Sequence, residues 1–121
     1  MLIRSSLLTL GLCVAVAACA QDHWARRVGA WSNDAFNDVA IDADGNLYAV
    51  GEFGGNINLP GVTLISNGSL DAMVAKYDAN GGLIWVRTFG GAGLDRAIKL
   101  ELTSDGHIAA VGQFMGSVSF G

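Results

Sequence analysis

The chain repeats itself at an offset of 61 residues, and this periodicity constrains the fold more than any other feature. The two copies align without a gap. Repeats of this length are typical of solenoids, propellers and arrays, in which each unit packs against its neighbours. The sequence therefore predicts a first repeat at 24–84 and a truncated second repeat at 85–121. The matched repeat positions are Trp24 and Trp85, Arg26 and Arg87, Asp34 and Asp95, Gly45 and Gly106, and Gly51 and Gly112.

Short apolar runs within one repeat alternate with polar residues and are bounded by glycine, asparagine or aspartate, which is typical of strands joined by turns. Four antiparallel strands per repeat would make a propeller blade, and a propeller has typically about 4 to 8 blades. The sequence therefore predicts an all-β fold that forms an incomplete propeller. The predicted main strands are 38–42, 46–53, 71–78 and 83–89, with a smaller pair around Pro60 and, in the second repeat, 97–102 and 107–114.

The N-terminus is typical of an export signal. Residues 1–18 contain Arg4 followed by the apolar run from Leu7 to Ala18, which is shorter than the roughly 20 residues of a transmembrane helix. The run ends in "VAAC", which resembles a bacterial lipobox and predicts lipidation of Cys19, with 19–23 as a short tether. Ordinary cleavage after Ala20 is the alternative. Ala20 directly after the cysteine resembles lipoproteins of an outer membrane or cell surface.

The net charge and the cysteine content limit which classes of partner and which covalent links are expected. After the predicted signal, six basic and eleven acidic residues give a net charge of −5. Nucleic acid is not an expected partner, because its recognition begins from a basic patch. We expect the membrane to be reached through acyl chains on Cys19 rather than through charge. Cys13 and Cys19 are the two cysteines of the sequence, so the exported part forms no internal disulfide.

The stretch "DADGN" offers Asp42, Asp44 and Asn46 as a weak calcium candidate. An EF-hand loop needs its glycine at the sixth position and a glutamate at the twelfth, and this stretch has neither. The second repeat replaces two of the three oxygen ligands but keeps the glycine of the turn. We therefore expect a hairpin turn in which Asp44 bonds its downstream backbone and Gly45 adopts a positive φ.

Other motifs indicate structure rather than chemistry. "GGAGLD" at 90–95 has Arg96 where a dinucleotide loop needs its third glycine, so we expect a loop between strands. His23 and His107 do not have metal-ligand spacing. No serine has a nucleophile motif around it, so we expect neither an enzyme nor a cofactor.

Arginine and aspartate recur together in both repeats. Arg26 precedes Asp34 by eight residues, as Arg87 precedes Asp95. We expect each pair to form an ion pair at the surface of its repeat. The recurring tryptophans Trp24 and Trp85 are expected in the core, and Trp31, which has no counterpart, is expected to be exposed.

Three stretches, "FNDVAIDADGNLYAVGEFGG", "LDAMVAKYDANGGLIWVRTFGGAGLDRA" and "GQFMGSVSFG", resemble the bacterial β-propeller repeat family known as SBBP. The resemblance covers the chain after His23. It implies a propeller fold in an exported or cell-surface protein, and it implies no reaction. "KYDANGGLIW" is also similar to quinoprotein-like propellers, some of which are envelope assembly factors.

These observations favour a binding or scaffold module for a protein or glycan partner at the envelope. Two alternatives remain: a fragment or non-functional remnant of a larger surface protein and, more distantly, a quinoprotein-like assembly factor or enzyme. A repeat left incomplete would expose an unpaired strand edge, which predicts edge-mediated oligomers.

Overall fold

A computed structural model describes residues 25–29 and 32–119. Cys19, His23, Trp24 and Trp31 lie outside the described residues. Within them the fold is all-β and antiparallel, as predicted, and no helix could span a membrane. The strands are β1 Ala35–Ile41, β2 Leu47–Phe53, β3 Asn56–Leu59, β4 Val62–Ile65, β5 Asp71–Tyr77, β6 Leu83–Phe89, β7 Arg96–Leu102 and β8 Ile108–Gln113.

The four main strands of the first repeat form one antiparallel sheet in the order β1-β2-β5-β6. The β3–β4 hairpin is inserted between β2 and β5, and β7 and β8 form a separate two-stranded sheet. All predicted strands are therefore present. The sequence boundary between residues 84 and 85 falls inside β6, so the structural unit extends beyond the first sequence period. The described residues do not form a closed propeller.

Each of β1 and β7 contains a bulge near its start, at repeat-equivalent positions. Gly51 in β2 and Gly112 in β8 lie opposite these bulges. A Cβ on Gly51 would lie 1.8 Å from the carbonyl oxygen of Ala35, and one on Gly112 would lie 2.1 Å from that of Arg96. Both glycines are thus required by the close approach of the neighbouring strand, which explains why they recur.

One face of the four-stranded sheet packs against the chain's own β3–β4 hairpin. Alternation along each strand directs every second side chain to this face. Val28, from the segment before β1, joins the same core. The buried side chains of this core are Val28, Leu47, Ala49, Phe53, Ile57, Leu59, Leu64, Met73, Ala75 and Tyr77.

The opposite face of the sheet packs against β7 of the second repeat. Val50 and Val74 are buried there with Ala97, and Leu100 of β7 packs against them. Trp85, predicted to lie in the core, is partly buried at this interface. This second apolar cluster is therefore shared by the two repeats, as expected for adjacent units of a repeat protein.

Candidate functional site

Buried aspartates tie together the loops at one end of the sheets. The carboxylate of Asp34 accepts a hydrogen bond from the backbone N–H of Gly54 at 3.0 Å. The carboxylate of Asp95 accepts one from Met115 at 2.9 Å. Gly54 and Met115 are 61 residues apart, as are the two aspartates. The sequence repeat is thus also a repeat of individual hydrogen bonds.

Asp95 and Asp71 each hold the loop that comes just before them in the chain. Asp95, which is fully buried, accepts a second bond from Gly91 N at 2.8 Å. Asp71, also buried, accepts bonds from the backbone N–H groups of Asn67 at 3.0 Å and Gly68 at 3.3 Å. Buried carboxylates satisfied in this way fix loop backbone that would otherwise move.

We call this end of the molecule the clamped end, defined by residues 32–34, 54–55, 66–70, 90–95 and 114–119. Its loops contact each other directly: Ser69 N donates to Gly93 O at 3.0 Å and Asp95 N donates to Leu70 O at 2.8 Å. Met115 and Phe114 expose 52% and 39% of their surface here. The clamped end therefore combines a fixed backbone with exposed apolar side chains.

The ion pair expected between Arg87 and Asp95 is wrong. Arg87 is exposed on β6, and among the described residues it makes no ion pair. Asp95 is fully buried and its carboxylate accepts backbone hydrogen bonds instead. In the first repeat, Arg26 donates from Nε to the carbonyl oxygen of Gly81 at 2.6 Å. In both repeats the recurring aspartate accepts a hydrogen bond from a loop amide.

The calcium candidate is a hydrogen-bonded turn at the opposite end of the sheet. Asp42, rather than Asp44 as predicted, is the acceptor: its Oδ1 accepts bonds from Asp44 N at 3.0 Å and Asn46 N at 2.9 Å. Its Oδ2 accepts a bond from Asn46 Nδ2 at 2.9 Å. Gly45 has φ +84°, as predicted for this turn. Protein donors thus bind both carboxylate oxygens of Asp42.

The same turn occurs three times, each with its acceptor at the first position. Asp78 Oδ1 accepts a bond from Gly82 N at 2.8 Å, four residues later. In the second repeat, Thr103 Oγ1 accepts one from His107 N at 3.0 Å. Threonine can replace aspartate because one side-chain oxygen is sufficient for this bond. His107 lies in the turn, as predicted, with Nδ1 3.0 Å from Asp105 Oδ2.

A row of polar and aromatic side chains crosses the sheet beside the Asp42 turn. Lys76 Nζ lies 4.0 Å from Asp42 Oδ2 and 4.8 Å from the ring centroid of Tyr48. The Tyr48 ring meets Trp85 edge to face, with centroids 6.3 Å apart. Hydrogen bonding from the Asn46 side chain holds the pKa of Asp42 below its usual value. The Tyr48 hydroxyl, with Asp42 and Asp44, raises the pKa of Lys76.

Polar side chains of β1 also attach the two repeats to each other. Asn37, at the β1 bulge, donates from Nδ2 to the carbonyl oxygen of Ala97 at 2.8 Å. Asp38 Oδ2 accepts a bond from the backbone N–H of Leu100 at 2.9 Å. Neither position carries the same residue in the second repeat, where Ile98 and Lys99 stand instead. These bonds therefore belong to the interface between repeats.

The second repeat leaves its outer face open. Val111 in β8 is 63% exposed, whereas its repeat equivalent Val50 in β2 is fully buried. Val50 is covered by β7, and no described strand covers Val111 in the same way. Ile98 on β7 is also exposed. The open face thus exposes Val111, whose equivalent the first repeat buries.

Within the described residues, no group of three or more histidine, cysteine, aspartate or glutamate side chains is placed to hold a metal ion. Sequence reasoning missed the clamps formed by Asp34, Asp71 and Asp95. The recurrence of Asp34 at Asp95 is a sequence signal for two of them, although charge and spacing alone favour an ion pair. Asp71 has no second copy in the chain to mark it.

Comparisons of the chain with protein-family models, with curated proteins and with solved structures found no match.

Proposed function

We propose that this chain is an exported, lipid-anchored repeat module of the cell envelope that presents the clamped end to a protein or glycan partner. The observation that carries the proposal is the repeated hydrogen bond from an aspartate to a loop amide, at Asp34 and at Asp95. It fixes equivalent loops in both repeats through the backbone N–H group of each loop, not through the loop's side chains. Loop side chains are then free to differ, as Gly54 and Met115 do.

Fixed loops favour binding because little conformational entropy is lost when a partner docks. Met115 and Phe114 supply exposed apolar surface beside these loops. Apolar and aromatic side chains at the centre of a patch are the common anchors of protein interfaces, and aromatic faces also stack on sugar rings. The sequence resemblance to surface β-propeller repeats, in which a four-stranded blade is the unit, is consistent with this role.

The anchor and the binding surface are tested separately. Metabolic labelling with a fatty acid should label the native chain and leave Cys19→Ser unlabelled, because acylation requires the thiol. Equal labelling of both chains would contradict the anchor.

The binding surface is tested with a photo-crosslinking amino acid placed at Met115 in intact cells. A matched control carries it at Asp105, which is exposed in a turn at the other end of the sheet. The proposal predicts a discrete adduct at position 115 that Phe114→Asp removes. Equal adducts at both positions would contradict a partner at the clamped end.

A second candidate is a remnant of a larger repeat protein. The contrast between exposed Val111 and buried Val50 favours it, because a further unit packed on β8 would bury Val111. A remnant without function should give no position-specific adduct at Met115. The same crosslinking experiment therefore separates the two candidates.

A further inference from the structure

The chain contains two Asn-Gly dipeptides, Asn67-Gly68 and Asn80-Gly81. The backbone nitrogen that follows an asparagine can attack the side-chain amide carbon, which closes a succinimide ring and releases ammonia. Glycine hinders this attack least, because it has no Cβ. Whether a given dipeptide reacts depends on which groups contact the attacking and the leaving nitrogen. The two dipeptides of this chain differ in those contacts.

At Asn67-Gly68, one carboxylate contacts both nitrogens. Asp71 Oδ1 accepts a hydrogen bond at 3.3 Å from Gly68 N, which is the nitrogen that attacks. Asp71 Oδ2 accepts one at 3.3 Å from Asn67 Nδ2, which is the nitrogen that leaves. A third bond, from Asn67 N to Asp71 Oδ2 at 3.0 Å, fixes the backbone beside them. The carboxylate therefore holds the attacking and the leaving groups close together.

Asn80-Gly81 supplies the comparison. Gly81 N donates to the backbone carbonyl oxygen of Asp78 at 3.0 Å, in the turn between β5 and β6. The Asp78 carboxylate accepts hydrogen bonds from the backbone N–H groups on either side, those of Asn80 and Gly82. A peptide carbonyl oxygen does not take up a proton near neutral pH, whereas a carboxylate acts as a general base. The attacking nitrogen thus contacts a base at Asn67 and a neutral acceptor at Asn80.

The contact with the Asn67 side chain is not needed to hold the loop. Asp95 holds its loop through hydrogen bonds from backbone N–H groups. Asp71 does the same for the loop before β5, and in addition binds the Asn67 side chain. Asp71 is buried, so bulk water does not compete for its carboxylate, and Asn67 is exposed, so water reaches its side chain. The site therefore combines a shielded base with a reacting group that is open to water.

We propose that Asn67 is a self-modification site at which Asp71 acts as the general base. Asp71 Oδ1 takes the proton from Gly68 N as this nitrogen bonds to Cγ of Asn67. The carboxyl group returns a proton to Nδ2 as the Cγ–Nδ2 bond breaks, and ammonia leaves. Solvent water then opens the succinimide ring to aspartate or isoaspartate at position 67. The Asp71 carboxylate is regenerated, and the net reaction consumes one water molecule and releases one ammonia molecule.

Conversion of Asn67 loosens the clamped end. The product carboxylate at position 67 lies beside the buried carboxylate of Asp71, and two like charges at one site repel each other. The loop has no room to adjust where it stands, because a Cβ on Gly68 would lie 2.4 Å from the carbonyl oxygen of Gly91. The loop must therefore move away from its neighbour. Because ammonia is lost, the change runs in one direction only.

This inference goes beyond the proposed function and does not depend on it. The reaction needs only the loop before β5, and neither the anchor nor a partner takes part. A failure of the reaction leaves the crosslinking expected at Met115 unchanged, and a failure of that crosslinking leaves the reaction unchanged.

The test follows both asparagines in one sample. The detergent-purified full chain is incubated near neutral pH, either folded in buffer or unfolded in urea, and peptide mass spectrometry measures conversion of Asn67 and Asn80. Unfolding removes the contacts of Asp71, so both dipeptides should then react at similar rates. In the folded chain, Asn67 should convert at least about tenfold faster than Asn80 and faster than Asn67 in urea, because positioned proton transfer contributes roughly 10²–10⁴-fold. Slower conversion of Asn67 in the folded chain than in urea would show that the loop protects it, which overturns the proposal.

A substitution tests the role of Asp71 itself. Asp71→Asn keeps the shape of the side chain and one acceptor oxygen but cannot take up the proton, so conversion of Asn67 should fall to the rate of Asn80. Asp78→Asn, the same substitution beside the other dipeptide, is the matched control and should leave conversion of Asn67 unchanged. Fast conversion retained in Asp71→Asn, or an equal decrease in both variants, overturns the role of Asp71. The comparison of folded and unfolded native chain uses no substitution, so it decides the proposal even where Asp71→Asn does not fold.

The loosening is tested with the aspartate product. Asn67→Asp should melt at a lower temperature than the native chain. Asn80→Asp, at an exposed position in a turn, is the matched control and should melt close to the native chain. Equal melting temperatures of the two variants would overturn the loosening of the clamped end.

Discussion

The backbone N–H of Met115 donates to Asp95 Oδ1 at 2.9 Å, and this bond reproduces the 3.0 Å bond from Gly54 to Asp34 one repeat earlier. Gly54 and Met115 have different side chains, so the equivalence lies in the backbone. A clamp of this kind tolerates variation at the amide donor but not at the acceptor. Both acceptors are aspartate, and both are buried.

Replacement of Asp95 by alanine should lower the free energy of unfolding by about 1–3 kcal/mol, because it leaves the partly buried N–H groups of Gly91 and Met115 without their acceptor. Asp95→Asn retains one side-chain acceptor, so its free energy of unfolding should lie between those of the native chain and Asp95→Ala. Urea unfolding followed by tryptophan fluorescence measures the change. Asp105→Ala, at an exposed turn, is the control. Similar losses for Asp95→Ala and Asp105→Ala would show that burial of Asp95 has no energetic consequence.

The bulge in β1 leads to a second prediction about stability. A Cβ at Gly51 would lie 1.8 Å from the carbonyl oxygen of Ala35, so Gly51→Ala must displace a strand. We expect a loss of about 1–3 kcal/mol, as for other overpacked sites. Gly61→Asn is the control, because Gly61 has open space and asparagine tolerates its φ of +78°. Thermal unfolding compares the two variants, and equal melting temperatures would contradict the described bulge.

The repeat allowed much of this structure to be predicted from sequence. Strands, turn glycines and the bulge glycines Gly51 and Gly112 all recur, because backbone geometry imposes them in both copies. The acceptor of the turn was assigned to Asp44 instead of Asp42, because composition identifies a turn but not which oxygen points inward. The Arg87–Asp95 pair was wrong for a related reason: charge and spacing do not reveal burial.

The packing of the first sheet could also not be predicted from the sequence. The sequence predicts the β3–β4 hairpin as a smaller pair of strands around Pro60. It does not predict that Ile57 and Leu64 of this hairpin cover a face of the sheet that a neighbouring unit could equally have covered. Only the three-dimensional arrangement distinguishes these outcomes. The same limit applied to β8, whose exposed face depends on what lies beside it.

Acid should weaken the Asp42 turn. Hydrogen bonds in the folded state, mainly from the side chain of Asn46, lower the pKa of Asp42. A lowered carboxyl pKa contributes stability that is fully present above the unfolded value of about 3.9 and is lost as pH falls through the folded value. The melting temperature of the native chain should therefore fall more steeply below about pH 4 than that of Asp42→Asn. Ser104→Asn, which removes no carboxyl group, should follow the native curve. Identical acid profiles for Asp42→Asn and the native chain would contradict this role.

The repeated clamp is tested most directly by amide hydrogen exchange, measured by NMR, at Gly54 and Met115. The account predicts that both amides are protected in the native chain. Asp95→Ala should remove protection at Met115 and leave Gly54 protected, and Asp34→Ala should do the reverse. Rapid exchange at both amides in the native chain, or loss at both in either variant, would contradict two equivalent and separate clamps.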